Sequence, residues 1–161
     1  MMTLWLKPSD WILEMAQNQS SFYTTEDGKR LFYNQNHKDY RHIPGQEALI
    51  ILDQMDSEKI IFQNSGVVVH DLGDGILNCA FRSKMNSIGG DVLAGLNTAL
   101  DLAEKSYAGL VIGNQGANFS VGANIGMIFM MAVEQEYDEL NAAIKYFQDT
   151  VMRLRYSSIP T

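Results

Sequence analysis

Glycine is distributed very unevenly along this chain, and this distribution constrains the fold more strongly than any other feature. Of the 13 glycines, only Gly28 and Gly45 precede residue 66, whereas the other 11 lie between Gly66 and Gly126. Glycine permits tight turns and close backbone approaches that other residues resist. We therefore predict two regions, a linker-like region over residues 1–65 and a turn-rich unit over residues 66–161.

The hydropathy pattern predicts the elements of both regions. Before residue 66, Ser9 is a plausible N-cap of a short helix, residues 22–33 form a β-hairpin that turns at Asp27-Gly28, and residues 48–52 stay unassigned between helix and strand. After it, the order is strand, strand, helix, strand, helix, helix, over residues 67–72, 76–81, about 89–105, 109–113, 125–133 and an apolar stripe from Leu140 to Leu154. This order is typical of an α/β fold.

Composition excludes several classes of protein. Hydrophobic residues make up 46% and charged residues 19% of the chain, which is typical of a globular protein and not of a disordered one. A net charge of −7 disfavours binding to nucleic acid or to an anionic membrane. The longest apolar run, Ile125 to Val133, is far shorter than the roughly 20 residues that span a bilayer, so no membrane insertion is expected. Residues 1–10 contain no long apolar region, so no signal peptide is expected, and Cys79 is the single cysteine. We therefore expect no intramolecular disulfide and a cytoplasmic location.

Residues 109–125, GLVIGNQGANFSVGANI, carry the strongest chemical signal. They read as a buried strand, a polar loop and a tight glycine turn that runs into a helix. The first N–H groups of a helix lack intrahelical partners and lie at the positive end of its dipole, so such a turn can bind an anion or stabilise an oxyanion. Gly122 would let a ligand approach the backbone, and the small Ala123 would leave its N–H accessible. From these residues alone, a loop that merely turns a corner fits equally well.

Several segments in this part of the chain resemble motifs of the crotonase (enoyl-CoA hydratase/isomerase) superfamily. Residues 119–125, FSVGANI, are similar to the family's F-S-A-G-A-D-I segment, and residues 110–113 are similar to the strand before it. Residues 84–88, KMNSI, are similar to the family's K-x-L-N-A-L segment, which is followed by a long helix there as here. Residues 158–161, SIPT, resemble the opening of the family's next core strand. The resemblance covers about residues 66–161.

The resemblance implies the N-terminal part of a crotonase-type ββα spiral, with acyl-CoA as its ligand. It assigns one oxyanion-hole donor to the backbone N–H of Ala123, which follows Gly122. It places four loop residues against the adenosine part of CoA: Lys84, Met85, Asn86 and Ser87. In the family, the second donor and the catalytic glutamates lie further downstream, so this chain alone is expected to be inactive. Asn124 departs from the family's usual Asp, but an amide can also cap the following helix.

Residues 1–65 have no counterpart in the minimal crotonase pattern. Residues 22–33, FYTTEDGKRLFY, and residues 42–46, HIPGQ, resemble the region that joins the halves of fused bacterial 3-hydroxyacyl-CoA dehydrogenases whose hydratase-like domain comes last. That resemblance implies a small α+β linker region and a much larger parent enzyme. No G-x-G-x-x-G fingerprint occurs in the chain, so NAD is expected only in a separate dehydrogenase domain and no cofactor is expected here.

The remaining candidate residues favour structural roles. Cys79 lies in an apolar strand and reads as a small buried hydrophobe. The histidines lack ligand spacing, so no metal site is expected, and Ser120 has no histidine partner for nucleophilic catalysis. The acidic residues between 134 and 139 read as a solvated helix start. Arg82, like Lys84, fits either a solvated cation or a contact with CoA phosphates. Four apolar residues fit either the core or the wall of an acyl pocket: Met127, Phe129, Met130 and Met131.

These observations favour part of a fatty-acid β-oxidation enzyme, an enoyl-CoA hydratase or isomerase fused to a 3-hydroxyacyl-CoA dehydrogenase. One alternative is a non-catalytic crotonase-like scaffold that binds CoA or assembles with partners. Another is a protease-like relative of the same spiral, which would need a Ser–His pair. We also expect a homo-oligomer, because a partial domain exposes apolar faces.

Overall fold

A computed structural model describes residues 7–26, 29–46, 49–52 and 55–161. The chain divides into two compact units, Met1–Met55 and Asp56–Thr161. This division falls earlier than the predicted boundary between residues 65 and 66, because a strand over Ile60–Gln63 pairs with the sheet of the second unit.

The first unit contains one helix and a three-stranded antiparallel sheet. Helix α1 spans Asp10–Gln17, and strands β1 (Tyr23–Glu26), β2 (Lys29–Asn34) and β3 (Asp39–His42) pair in the order β1-β2-β3. Aromatic packing holds this unit together: Trp11 stacks on Tyr33 with ring centroids 6.5 Å apart, and Tyr33 meets Tyr40 edge to face.

The sequence predictions for the first unit are confirmed in part. Ser9 is the N-cap of α1, but its backbone carbonyl accepts the Ile12 N–H at 3.0 Å and its side chain makes no capping hydrogen bond. The hairpin of β1 and β2 is confirmed, whereas its Asp27-Gly28 turn lies outside the described residues. Ala48 also lies outside them, and residues 49–52 contain neither α-helix nor strand.

The second unit is a four-stranded sheet with three helices. The strands are β4 (Ile60–Gln63), β5 (Val67–Gly73), β6 (Ile76–Phe81) and β7 (Gly109–Ile112), in that spatial order. The pairs β4–β5 and β5–β6 are antiparallel, and β6–β7 is parallel, from Ile76 opposite Gly109 to Cys79 opposite Ile112. The helices are α2 (Gly90–Ser106), α3 (Ile125–Val133) and α4 (Tyr137–Arg155).

The core of this unit lies between α2 and the strands β5, β6 and β7. Helix α2 lies in the crossover connection that joins the parallel strands β6 and β7. Parallel strands need a crossover of a dozen or more residues, which is usually a helix. Its buried stripe recurs at helical spacing, which is the period that the sequence predicted. The buried strand residues are Val67, Val69, Leu77, Cys79, Phe81 and Leu110, and the buried helix residues are Val92, Leu96, Ala99, Leu100 and Ala103.

Polar contacts tie α4 to α2. The Asn97 side-chain amide donates to Thr150 Oγ1 at 2.9 Å, and Arg153 Nη1 donates to Asn97 Oδ1 at 3.0 Å. Arg153 also pairs with Asp101. After α4 the chain returns to the sheet, because Leu110 N–H donates to Pro160 O at 3.0 Å. These bonds satisfy polar groups that burial between the helices would otherwise leave unpaired.

Every strand and helix that the sequence predicts after residue 66 is present; β6 and α3 have the predicted bounds, and the others differ by one to a few residues. Among the described residues, two strands were missed. Strand β3 is polar and acquires its conformation by pairing with β2, and β4, which precedes the glycine-rich part of the chain, acquires its conformation by pairing with β5. None of the helices among the described residues combines the length and the apolar character that crossing a membrane requires.

Substitution of Gly95 tests the close packing of α2 on β5. A Cβ atom at this position would lie 2.2 Å from Val67 Cγ2, and Val67 is fully buried. We expect Gly95→Ala to lower the free energy of unfolding by about 1–3 kcal/mol, measured by urea denaturation. The control is Gly90→Ala at the start of the same helix, where a Cβ meets nothing within 4 Å. Equal stability of the two variants would contradict the packing argument.

Candidate functional site

The turn Ser120–Asn124 connects the loop after β7 to α3. Gly122 adopts φ +81°, a left-handed conformation that favours glycine over any residue with a side chain. Asn124 is the N-cap of α3, and its Oδ1 accepts hydrogen bonds from Gly126 N–H at 3.0 Å and Met127 N–H at 3.3 Å. The sequence expectation that an amide at this position caps the helix is confirmed.

The peptide unit between Gly122 and Ala123 is anchored through the carbonyl oxygen of Gly122. Ile88 N–H donates to Gly122 O at 2.9 Å, and Ile88 and Ala123 form a parallel bridge. In a trans peptide the C=O and the following N–H point in opposite directions. Anchoring Gly122 O on Ile88 therefore turns Ala123 N–H away from that backbone. Within the described part of the chain, Ala123 N–H has no hydrogen-bond acceptor, and the residue is exposed.

The second predicted segment, Lys84 to Ser87, lies beside this turn. It forms a short 3-10 turn in which Met85 and Asn86 have φ values of 56° and 54°. The Asn86 side-chain amide donates to Asn118 O at 3.0 Å, and Ser120 Oγ donates to Asn86 O at 2.6 Å. The structure thus brings together the two segments that the sequence singled out, with Lys84 and Met85 exposed.

An apolar cavity of about 510 Å³ opens next to Ala123. Its walls come from the start of α2, one side of α3 and the middle of α4. Two of the methionines that the sequence left open between core and pocket, Met127 and Met131, line it, whereas Phe129 and Met130 do not. The other lining residues include Ile88, Leu93, Asn124, Ile128, Ile144, Tyr146 and Phe147. A backbone N–H thus stands at the edge of an almost wholly apolar space.

The other candidates behave as structural residues. Burial raises the pKa of the Cys79 thiol to about 12, so the thiol stays protonated and unreactive at neutral pH. Ser120 uses its hydroxyl on backbone groups and not on a histidine. Arg82 donates to Gln63 Oε1 at 3.0 Å. The described residues contain no cluster of His, Cys, Asp or Glu that could hold a metal ion. The acidic residues 134, 136, 138 and 139 are exposed around the start of α4, as predicted.

Sequence reasoning missed one residue that shapes the site. Asn114, directly after β7, accepts a hydrogen bond from Phe81 N–H at 2.6 Å and donates to Phe119 O at 2.7 Å. Its side chain therefore links the end of β6 to the loop before Ser120. The only sequence signal is an asparagine in a polar loop, a residue type that commonly bonds to nearby backbone.

Comparison with known proteins gives relatives of one kind, although no family model matches the chain. This chain is 38% identical over 152 residues to a probable 3-hydroxyacyl-CoA dehydrogenase of Bacillus subtilis (strain 168). The match covers 93% of this chain and 19% of that protein. It is 31% identical over 123 residues to a putative fatty acid oxidation complex trifunctional enzyme of Rickettsia prowazekii, covering 76% of this chain and 17% of that protein. The chain therefore spans less than a fifth of the length of either relative.

Among solved structures, an enoyl-CoA hydratase from Thermoplasma volcanium superposes with a TM-score of 0.50 and 28% identity, covering 63% of this chain and 40% of that one. The sheet, the helices and the glycine turn thus define a mixed α/β protein with part of a crotonase-type fold. The chain belongs to the crotonase (enoyl-CoA hydratase/isomerase) superfamily, and it contains a partial domain of that family.

Asn124 provides a test of the turn that carries the site. Because its side chain satisfies two N–H groups of α3, we expect Asn124→Ala to lower the free energy of unfolding by about 1 kcal/mol. Asn124→Asp keeps a capping oxygen and is expected to retain the wild-type stability. Urea denaturation of both variants measures the difference. Equal losses in the two variants would show that the cap does not stabilise the turn.

Proposed function

We propose that this chain is part of a fatty-acid β-oxidation enzyme that acts on acyl-CoA thioesters. The parent would be an enoyl-CoA hydratase or isomerase fused to a 3-hydroxyacyl-CoA dehydrogenase. One observation carries the proposal: Ala123 N–H lacks an acceptor among the described residues and stands beside an apolar cavity, on a turn whose neighbouring carbonyl is anchored.

In this proposal Ala123 N–H donates a hydrogen bond to the thioester carbonyl oxygen. Addition of water to an enoyl thioester, or migration of its double bond, places negative charge on that oxygen as an enolate forms. A preorganised backbone donor stabilises this charge, and losing one such donor typically costs about 10²–10³ in rate. The apolar cavity beside Ala123 would take the acyl chain, with Met127 and Met131 in its wall.

The segment Lys84 to Ser87, in which Lys84 and Met85 are exposed, would contact the adenosine end of CoA. Lys84 is exposed and offers an ammonium group to a phosphate. The hydrogen bonds of Asn86 to the Asn118–Ser120 loop keep this segment next to the turn of Ala123. The nucleotide end and the thioester end of one ligand would therefore contact two segments that are bonded to each other.

Proton transfer would come from elsewhere in the parent protein. Among the described residues, no carboxylate, imidazole or amine lines the cavity. Hydration requires a group that moves a proton to the substrate and one that activates water. This observation supports a chain that binds acyl-CoA but does not turn it over by itself, and it is equally compatible with a non-catalytic CoA-binding scaffold.

Binding of crotonyl-CoA, measured by isothermal titration calorimetry on the full chain, tests the proposal. We expect binding, no hydration of crotonyl-CoA in the absorbance assay, and about five-fold weaker binding for Lys84→Ala, as loss of about 1 kcal/mol from an exposed ion pair would give. Lys105→Ala, which removes the same charge at the other end of α2, is the control and should bind like wild type.

Three results would contradict parts of this proposal. Absence of crotonyl-CoA binding would contradict the acyl-CoA site. Measurable hydration would contradict the inactivity of the isolated chain. If the full-length parent binds crotonyl-CoA without hydrating it, the scaffold is the correct function.

We also propose that the chain associates with itself. Helix α3 has no buried residue, although its sequence IGMIFMMAV is wholly apolar. Exposed apolar surface of this kind favours association in water. Light scattering at increasing concentration should give a mass above 18.1 kDa. We expect Phe129→Glu on α3 to shift the protein towards the monomer, and Ala94→Glu on an exposed position of α2 to leave it unchanged. A monomeric wild type at high concentration would refute the proposal.

A further inference from the structure

Two successive peptide units lead into Ala123, and each is anchored by a different hydrogen bond. The unit that contains Ala123 N–H is held through Gly122 O, which accepts from Ile88 N–H at 2.9 Å. The unit before it contains Gly122 N–H, which donates to Ser120 Oγ at 2.9 Å. Both anchors are needed to define the conformation of Gly122, because its φ and ψ angles relate the two planes.

Glycine itself gives no restraint at this position. It populates positive and negative φ about equally, so the observed φ of +81° at Gly122 depends on its surroundings. If the unit that contains Gly122 N–H rotated, φ of Gly122 would change, and the Ile88 bond to Gly122 O would be left as the single anchor of Ala123 N–H described above. The Ser120 hydroxyl therefore compensates for the conformational freedom that the glycine introduces.

Ser120 is itself fixed on the opposite side. A hydroxyl has one hydrogen to donate and lone pairs to accept. Ser120 Oγ donates its hydrogen to Asn86 O at 2.6 Å and accepts from Gly122 N–H. Asn86 is in turn bonded through its side chain to Asn118 O at 3.0 Å. The hydroxyl thus links the segment 84–88 to the peptide unit that contains Gly122 N–H.

We propose that Ser120 is a positioning residue, which orients the Gly122 and Ala123 peptide units so that Ala123 N–H points at the ligand carbonyl. The inference rests on the proposed function of Ala123 as a donor to a thioester. In this role Ser120 acts neither as a nucleophile nor only as a packing residue. The role predicts an effect on carbonyl polarisation in the bound thioester.

The first test follows amide hydrogen exchange in the isotopically labelled full chain by NMR, without any ligand. Loss of one neutral hydrogen bond, about 1 kcal/mol, should raise the exchange rate of Gly122 N–H about five-fold in Ser120→Ala. Ser120→Thr keeps the hydroxyl and should restore the wild-type rate. Ser157→Ala is the matched control, because the Ser157 hydroxyl donates to Ile159 O outside the site. An unchanged Gly122 rate in Ser120→Ala, or no rescue by Ser120→Thr, would overturn the proposal.

The second test adds crotonyl-CoA labelled at its carbonyl carbon. Polarisation by Ala123 N–H should move the carbonyl resonance downfield in the wild type and in Ser120→Thr, and less in Ser120→Ala. Comparing the three proteins at saturating crotonyl-CoA separates carbonyl polarisation from any change in affinity. An equal carbonyl shift in Ser120→Ala would overturn the positioning role. If the wild type binds no thioester but shows the exchange difference, the anchoring by Ser120 is supported and the proposed acyl-CoA function is contradicted.

Discussion

The parallel pairing of β6 with β7 is the constraint on which the site depends. Carboxyl ends of parallel strands meet at the same edge of a sheet, so the loop after Phe81 and the loop after Ile112 emerge side by side. Helix α2 makes this pairing possible because it carries the chain back across the sheet and buries its apolar stripe on β5, β6 and β7. The close packing at Gly95 keeps α2 near the sheet, and the start of α2 forms part of the cavity.

Given that adjacency, a small number of backbone hydrogen bonds produce the candidate site. Ile88 holds the carbonyl of Gly122, and Asn86 holds the hydroxyl of Ser120, so a segment before α2 shapes a turn before α3. The result is an oriented N–H at Ala123 that has no acceptor among the described residues and lies beside an apolar cavity. Backbone donors need no particular side chain, which is why the chemistry depends on conformation more than on residue type.

The partial nature of the domain explains its surface. The chain covers 40% of the Thermoplasma volcanium hydratase that it resembles, and α3 has no buried residue. An apolar helix without a buried residue is unusual, because burial of such residues is the main stabilising force in folding. The absence of a buried residue in α3 agrees with a chain that matches only part of the length of its relatives.

The sequence by itself determined the α/β class, the order of the elements after residue 66 and the two segments around Lys84 and Ala123, since hydrophobic period and glycine position are local properties. Asn124 as a helix cap was also predictable, because capping involves only neighbouring residues. Only the tertiary structure revealed the links from Ile88 to Gly122 and from Asn114 to Phe81, and the strands β3 and β4. The two links join residues far apart in the chain, and a polar loop residue carries no local signal of its distant partner. Strands β3 and β4 pair with the strands next to them in sequence, but their short segments become strands only through that pairing.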